Sequence, residues 1–229
     1  MDISVNPDKY GGENSMKTTE ALLEGVSHFV QSTVRIEGEK TIYIDPISIN
    51  GEPKDADAVF VTHIHEDHFS PDDIGKVLKD GGLLVATADV AKKAGRKGFK
   101  NILTVNPSEA YHTDGISFET VPSYNTDKNF HKKGSGWVGY VVHMGCNSYY
   151  AAGDTDVIPE MRDIKADVAF LPVGGTYTMT AVQAATAANI IKPSVAVPIH
   201  FADLVGTIED ARSFIEGLDS GISGVILKK

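Results

Sequence analysis

The chain contains little cysteine, little tryptophan and less positive than negative charge. Its 229 residues include one cysteine, Cys146, which excludes an intramolecular disulfide, so nothing in the sequence requires an oxidising compartment. Lysine and arginine together number 21, against 31 aspartate and glutamate residues, which gives a net charge of −10. This balance disfavours broad electrostatic binding to nucleic acid or to an anionic lipid surface.

Long apolar runs are also missing. No stretch approaches the roughly 18 apolar residues of a membrane-spanning helix. The first residues of the chain are polar and acidic, and they lack the apolar segment of a signal peptide. We therefore expect a cytoplasmic protein with no membrane segment.

Strand and helix patterns alternate from residue 26 onwards. The continuous apolar run over residues 58–62 is typical of a strand that is buried on both faces. Ser70 is placed to cap a helix that Gly81-Gly82 would end, and residues 225–227 are predicted to form the last strand. This order of elements predicts an α/β fold with helices outside packed sheets.

The same patterns predict the domain organisation. Residues 1–20 are mostly polar, and we interpret them as an N-terminal extension. No linker or low-complexity stretch interrupts residues 21–229, which we interpret as a single domain.

The segment 62–68 contains three histidines and an aspartate directly after the predicted buried strand. In an extended chain His63 and His65 point to the same side and can bind one ion, while Asp67 and His68 beyond the bend can bind a second. Imidazole nitrogens and carboxylate oxygens are ligands that Zn²⁺ and similar ions accept. A chance grouping is disfavoured, because the chain has only eight histidines.

Two further candidate ligands, Asp154 and His200, also follow predicted strands directly. Alone, Asp154 would be interpreted as a turn residue and His200 as a partly buried structural histidine. Together with the histidine cluster, both are better explained as ligands that converge on one edge of the sheets.

At this point the chain resembles the metallo-β-lactamase superfamily. The sequence T-H-I-H-E-D-H at 62–68 is similar to its H-x-H-x-D-H signature, A-G-D at 152–154 to its bridging-aspartate strand, and P-I-H at 198–200 to its last metal histidine. Residues 42–46 resemble its early strand that ends in Asp-Pro. The resemblance covers residues 26–229 and implies a four-layer αββα sandwich.

Within that superfamily the chain is most similar to the compact, stand-alone metal-dependent hydrolases related to ascorbate-6-phosphate lactonase, on the segments 153–161 and 171–179. The resemblance implies two divalent ions: zinc is the expected metal, with manganese and iron as alternatives. The implied ligands are His63, His65 and His131 for one ion, Asp67, His68 and His200 for the other, and Asp154 as the bridge.

One position departs from the family pattern. The strand before the bridging aspartate runs into residues 122–125, where the customary histidine is missing. His131 follows at a spacing from Asp154 that suits the family, whereas His112 precedes the strand. We predict that His131 completes the first site, and the departure leaves the geometry, affinity and metal of that site open.

Five further residues are candidates for a supporting or substrate-binding role. Asp45 precedes a proline; it can hydrogen-bond a ligand histidine or serve only as a turn residue. Tyr124, Asn125, Thr176 and Tyr177 lie in loops that lead from strand ends towards the site, where they can orient a substrate.

The implied function is that of a metal-dependent hydrolase. A hydroxide shared by two metal ions would attack a small ester, lactone or phosphodiester, with Asp67 as the catalytic residue that orients it. We expect a small-molecule substrate rather than nucleic acid.

Two other functions stay open. The altered first-site loop is compatible with a catalytically silent metal-binding or ligand-binding protein of the same fold. A di-iron oxidoreductase is less favoured, because the di-iron proteins of this fold normally have a glutamate at the position of His65 and a flavodoxin domain after the metal-binding domain.

Overall fold

The computed structural model describes residues 17–228 of the chain. Most of the N-terminal extension predicted over residues 1–20 therefore lies outside the described residues, although a short helix already begins at Thr19. None of the helices in the described part is long and apolar enough to cross a membrane.

Two sheets form the centre of the molecule. The 6-stranded first sheet contains, in spatial order, β1 (Val26–His28), β2 (Val34–Glu37), β3 (Thr41–Ile44), β4 (Ala56–Val61), β5 (Leu78–Ala86) and β6 (Ile102–Thr104). The 7-stranded second sheet contains, from one side to the other, β7 (Ala110–Thr113), β8 (Ile116–Pro122), β9 (Val138–Met144), β10 (Asn147–Ala151), β11 (Val168–Pro172), β12 (Val195–Ile199) and β13 (Ser223–Gly224). Each sheet thus follows chain order.

The helices begin at recognisable capping residues. They are α1 (Thr19–Leu23), α2 (Pro71–Val77), α3 (Ala88–Arg96), α4 (Ala181–Ile191) and α5 (Ile208–Glu216). The Ser70 hydroxyl accepts a hydrogen bond from the backbone of α2, and Thr180 and Thr207 form capping boxes at α4 and α5. Short 3₁₀ turns cover Lys133–Ser135 and Pro159–Asp163.

The two sheets pack face to face through aromatic and aliphatic side chains. The ring of Phe60 meets Phe118 and Tyr140 edge-on, with centroid distances of 5.0 and 5.1 Å. Helices α2 and α3 cover the outer face of the first sheet, while α4 and α5 cover that of the second. This arrangement confirms the predicted αββα sandwich.

Strand direction brings the chemistry-bearing loops to one edge of both sheets. Strands β3, β4 and β5 are parallel, as are β10, β11, β12 and β13. Strand β9 is antiparallel to both β8 and β10, so the β8–β9 loop emerges where β10 ends. We call this the site edge: the edge at which β3, β4, β10 and β12 end.

Two element boundaries differ from the sequence predictions. Helix α2 ends at Val77, not at Gly81-Gly82, because Leu78 already pairs with Ala56 and the glycines lie in an irregular part of β5. The last strand is Ser223–Gly224 rather than residues 225–227, although the Val225 N–H still donates to the carbonyl of Ala196 at 3.0 Å.

Candidate metal centre

The first cluster consists of His63, His65 and His131. Nε2 of His63 and Nδ1 of His65 lie 3.1 Å apart, and the His131 ring lies 5.2 and 5.0 Å from the other two ring centroids. His63 and His131 are buried, whereas His65 is half-buried. The first two follow β4 directly, and the β8–β9 loop brings the third to them.

The second cluster consists of Asp67, His68, Asp154 and His200. Nε2 of His200 lies 3.3 Å from Oδ2 of Asp67, and Nε2 of His68 lies 3.6 Å from the same oxygen. Three of the four residues are buried, and Asp67 keeps 25% of its side chain exposed. The structure thus brings together all seven residues that the sequence predicted as ligands.

Asp154 lies between the two clusters. Its Oδ1 is 3.2 Å from Nε2 of His68 and 3.5 Å from Nε2 of His200, while its Oδ2 is 3.3 Å from Nε2 of His131. Each carboxylate oxygen therefore faces a different cluster, an arrangement suited to a ligand that both clusters share. Gly153 makes this approach feasible: it has φ +64°, and a Cβ there would lie 3.1 Å from Cβ of Thr62.

The donor atoms fit divalent ions. Neighbouring ligand atoms at bonds of 2.0–2.1 Å around a tetrahedral ion are about 3.4 Å apart, and the facing N···N and N···O pairs span 3.1 to 3.6 Å. Nε2 of His68, His131 and His200 is buried without a hydrogen-bond partner. Because buried polar atoms are rarely left unpaired, these nitrogens are suited to metal coordination.

Asp45 and Thr62 support the histidines of the motif. Asp45 Oδ2 lies 2.7 Å from Nδ1 of His68 and accepts the Thr62 hydroxyl at 2.7 Å, while Oδ1 accepts the Thr62 N–H at 2.8 Å. The Thr62 hydroxyl in turn lies 2.9 Å from Nδ1 of His63. Such contacts fix the ring orientation and leave Nε2 for an ion.

His131 is supported by Asn125. The Asn125 carboxamide oxygen accepts the His131 N–H at 2.9 Å and lies 3.1 Å from its Nδ1. The same carboxamide donates to the carbonyl of Tyr177 at 2.9 Å. The short loop hydrogen bond from the Asn125 N–H to the His131 carbonyl, 2.7 Å, closes the arrangement.

Three residues beside the clusters have strained backbones. Gln31, Asp45 and His200 adopt φ values of 51°, 46° and 57° in the left-handed region. The His200 N–H donates to the Gln31 carbonyl at 2.8 Å and ties β12 to the first sheet. Left-handed non-glycine residues cost about 1–3 kcal/mol each, and such strain is concentrated at functional sites.

Burial and charge shift the pKa values of the histidines in opposite directions in the two clusters. Burial lowers the pKa of His63 well below its ordinary value and also lowers that of His65, so both imidazoles keep a free lone pair. Burial opposes ionisation of Asp154, but His200 and His68 outweigh it and hold its pKa well below the usual range. Asp154 and Asp45 likewise overcome burial and raise the pKa of His68.

Two residues near the site were not predicted from the sequence. The indole of Trp137, the only tryptophan, lies with ring centroids 4.8 to 5.6 Å from the three first-cluster histidines, and its Nε1–H donates to Asp89 at 2.8 Å. The buried Tyr140 hydroxyl donates to the Val61 carbonyl at 2.8 Å, at the end of β4. The only feature of the sequence that could have pointed to Trp137 is that it is the single tryptophan and directly precedes a strand.

Other candidates lie further from the clusters. The Tyr124 hydroxyl donates to Glu160 at 3.0 Å instead of facing either cluster. Thr176 is exposed in the loop after β11, where the structure gives its side chain no contact with the clusters. His112 lies on β7 beside Ser117, away from the site edge, so the structure brings His131 rather than His112 to the first cluster.

Fold and site together define a metal-dependent hydrolase of the metallo-β-lactamase type. The sequence matches the family described as the β-lactamase superfamily domain over residues 26–200, and the chain belongs to that superfamily. It is 32% identical over 212 residues to the UPF0173 metal-dependent hydrolase of Pyrococcus abyssi, covering 84% of this chain and 91% of that protein.

A second relative and a solved structure are also similar to this chain. A UPF0173 metal-dependent hydrolase of Thermus thermophilus is 31% identical over 205 residues, covering 84% of this chain and 90% of that protein. A solved structure from Parabacteroides distasonis superposes with a TM-score of 0.75 at 30% identity, covering 88% of this chain and 91% of that chain.

Proposed function

We propose that the chain is a dinuclear hydrolase of a small ester, lactone or phosphodiester in the cytoplasm. His63, His65 and His131 would hold one ion, Asp67, His68 and His200 the other, and Asp154 would bridge them. The observation that carries this proposal is the position of the Asp154 carboxylate, whose two oxygens face unpartnered histidine nitrogens of separate clusters at 3.2 to 3.5 Å.

The two ions, when bound, supply Lewis acidity and lower the pKa of water, which makes it a nucleophile near neutral pH. The ionised Asp154 offsets their charge, and the neutral His63 and His65 offer lone pairs. Asp67 is the only partly exposed member of the second cluster, so its carboxylate can orient an attacking water by accepting a hydrogen bond from it.

The test combines metal analysis with a substrate panel. Protein purified without chelator is reconstituted with Zn²⁺ or Mn²⁺, its metal content is measured by plasma mass spectrometry, and turnover of p-nitrophenyl acetate, a γ-lactone and bis(p-nitrophenyl) phosphate is followed. We expect two equivalents of metal and turnover of at least one substrate. We expect His65→Ala to lower that turnover at least about 100-fold.

His112→Ala is the matched control, because it removes an exposed histidine on β7 whose ring hydrogen-bonds Ser117, away from the site edge. It should retain both metals and full turnover. Full metal loading without turnover of any ester, lactone or phosphodiester would instead support a catalytically silent binding protein.

A further inference from the structure

Among the residues that the structure describes, several large apolar side chains are exposed in segments that follow the site edge. Five large apolar side chains have at least 38% exposure: Phe29, Phe130, Val182, Leu204 and Ile208. Each follows a strand end at the site edge: one directly after β1, one in the β8–β9 loop, one in the first turn of α4 after β11, and two between β12 and the start of α5. An exposed apolar side chain that lies beside a candidate site can contribute to a binding surface.

Of these five residues, Phe130 is the one that is adjacent in sequence to a predicted metal ligand. It directly precedes His131, is 50% exposed, and packs edge-on against Tyr177 with ring centroids 4.8 Å apart. The Tyr177 carbonyl is in turn held by Asn125, which contacts His131. An apolar group that rests on Phe130 and Tyr177 is therefore placed beside the first cluster.

The charges of the same loop disfavour an anionic substrate. Lys128 pairs with Asp156 at 2.6 Å and with Asp127 at 3.0 Å, and Lys133 pairs with Glu160 at 2.8 Å. Two of the three lysines in the β8–β9 loop are thus neutralised by carboxylates of the chain itself. A phosphodiester would find few free cations here, whereas an uncharged ester needs none.

We propose that the substrate is a carboxylic ester whose acyl group is apolar, an aliphatic chain or an aromatic ring, and that this group packs on Phe130 and Tyr177. The inference rests on the proposed hydrolase function and narrows its substrate class. Hydrolysis breaks the acyl C–O bond as water adds: the hydroxyl goes to the acyl carbon, a proton goes to the alkoxy oxygen, and a carboxylic acid and an alcohol leave.

The first test measures the acyl-chain preference of the zinc-loaded protein. The ratio of kcat/KM for p-nitrophenyl octanoate to that for p-nitrophenyl acetate should be at least about tenfold, and Phe130→Ala should lower this ratio about tenfold. Phe99→Ala removes the same kind of side chain, partly buried before the start of β6 at the opposite edge, and should leave the ratio within about twofold. An equal ratio in wild type and Phe130→Ala would overturn the proposal.

The second test does not depend on turnover. Trp137 is the only tryptophan and contacts the first cluster, so its fluorescence reports binding at this site. Octanoate should bind at least about tenfold more tightly than butanoate, and Phe130→Ala should remove most of this difference. If no ester is hydrolysed but this difference is observed, the hydrolase function fails while the apolar subsite stands.

The alternative to a substrate on this surface is a second copy of the chain. Sedimentation of wild type and Phe130→Ala distinguishes it. If Phe130→Ala converts a dimer into a monomer and leaves octanoate binding unchanged, the edge is a subunit interface and the proposal is wrong.

Discussion

The two clusters differ in how firmly the chain holds them. In the second cluster His68 and His200 are fully buried, and Asp45, itself buried, lies 2.7 Å from the Nδ1 of His68. In the first cluster His65 is half-exposed, and His131 is carried by a loop rather than by a strand end. Asn125 holds that loop histidine through its carboxamide oxygen and its backbone N–H.

This difference indicates that the two clusters differ in metal affinity and in their distance from the substrate. Ligands that are already fixed lose less freedom when an ion binds, so the second cluster should bind its metal more tightly. The first cluster is more open, and it borders the exposed Phe130 and the aromatic ring of Trp137. We therefore expect the first metal to exchange more readily and to lie closer to the substrate.

The largest effect is expected from the residue that the two clusters share. Asp154→Asn keeps the shape of the side chain but removes the charge that faces both clusters, so both metals should be weakened and turnover should fall at least about 1000-fold. Metal content and kcat/KM are the measurements. Asp114→Asn, in the turn between β7 and β8, makes the same chemical change and should alter neither. If Asp154→Asn retained both metals, Asp154 would not be a ligand that the two clusters share.

His131→Ala separates the two clusters most directly. It removes one ligand of the first cluster and leaves the four residues of the second untouched. We expect one metal equivalent instead of two, turnover lowered about 100-fold, and a thermal unfolding midpoint close to that of wild type. Metal analysis of the dialysed protein is the measurement. If this variant kept two equivalents, the first cluster would have been assigned wrongly.

The sequence was sufficient where strand ends determine the site. A run such as Ala58–Val61 must be buried on both faces, and the residues after it emerge at a sheet edge. The same reasoning applies to Asp154 after β10 and His200 after β12. Their convergence follows from parallel strands, so these positions could be predicted without coordinates.

Contacts that depend on the path of a loop could not be predicted. Nothing in the spacing of Trp137 shows that its ring reaches three histidines, since that depends on how the β8–β9 loop folds back. Tyr124 and Asn125 are neighbours in sequence, yet the first contacts Glu160 and the second His131. The adjacent side chains point in different directions, and only the fold determines which one reaches the site.

Substituting the residues that hydrogen-bond the ligand histidines should have a smaller and more selective effect on metal affinity. Asn125→Ala removes the acceptor beside Nδ1 of His131, so affinity for the first metal should fall about 10–100-fold, with the second metal retained. Asp45→Asn should weaken the second metal to a similar extent and the first metal less, because Asp45 contacts His68 directly but reaches His63 only through the Thr62 hydroxyl. Titration with a competing chelator resolves the two affinities. Thr126→Ala, next to Asn125 in an exposed position, should change neither. Equal effects of both variants on both metals would show that the clusters are not independently supported.

The smallest expected effect concerns the loop that carries Asp45. Asp73 in α2 accepts hydrogen bonds from the backbone N–H groups of Ser48 and Ile49, at 2.9 and 3.1 Å. Burial would raise its pKa, but the ammonium of Lys76 and these N–H groups lower it below its ordinary value. The folded protein therefore binds a proton at Asp73 less readily than the unfolded chain does.

The stabilisation that Asp73 provides is therefore fully present above the unfolded pKa of about 3.9, and it is lost as the pH falls through the lower folded pKa. Asp73→Asn should cost about 1–2 kcal/mol of unfolding free energy at pH 6, and the gap from wild type should begin to shrink only as the pH falls below about 4. Urea unfolding of both metal-free proteins across this range gives the gap directly, because the histidines titrate alike in both. A gap that stayed constant with pH would show that the carboxylate charge of Asp73 does not hold the loop that carries Asp45.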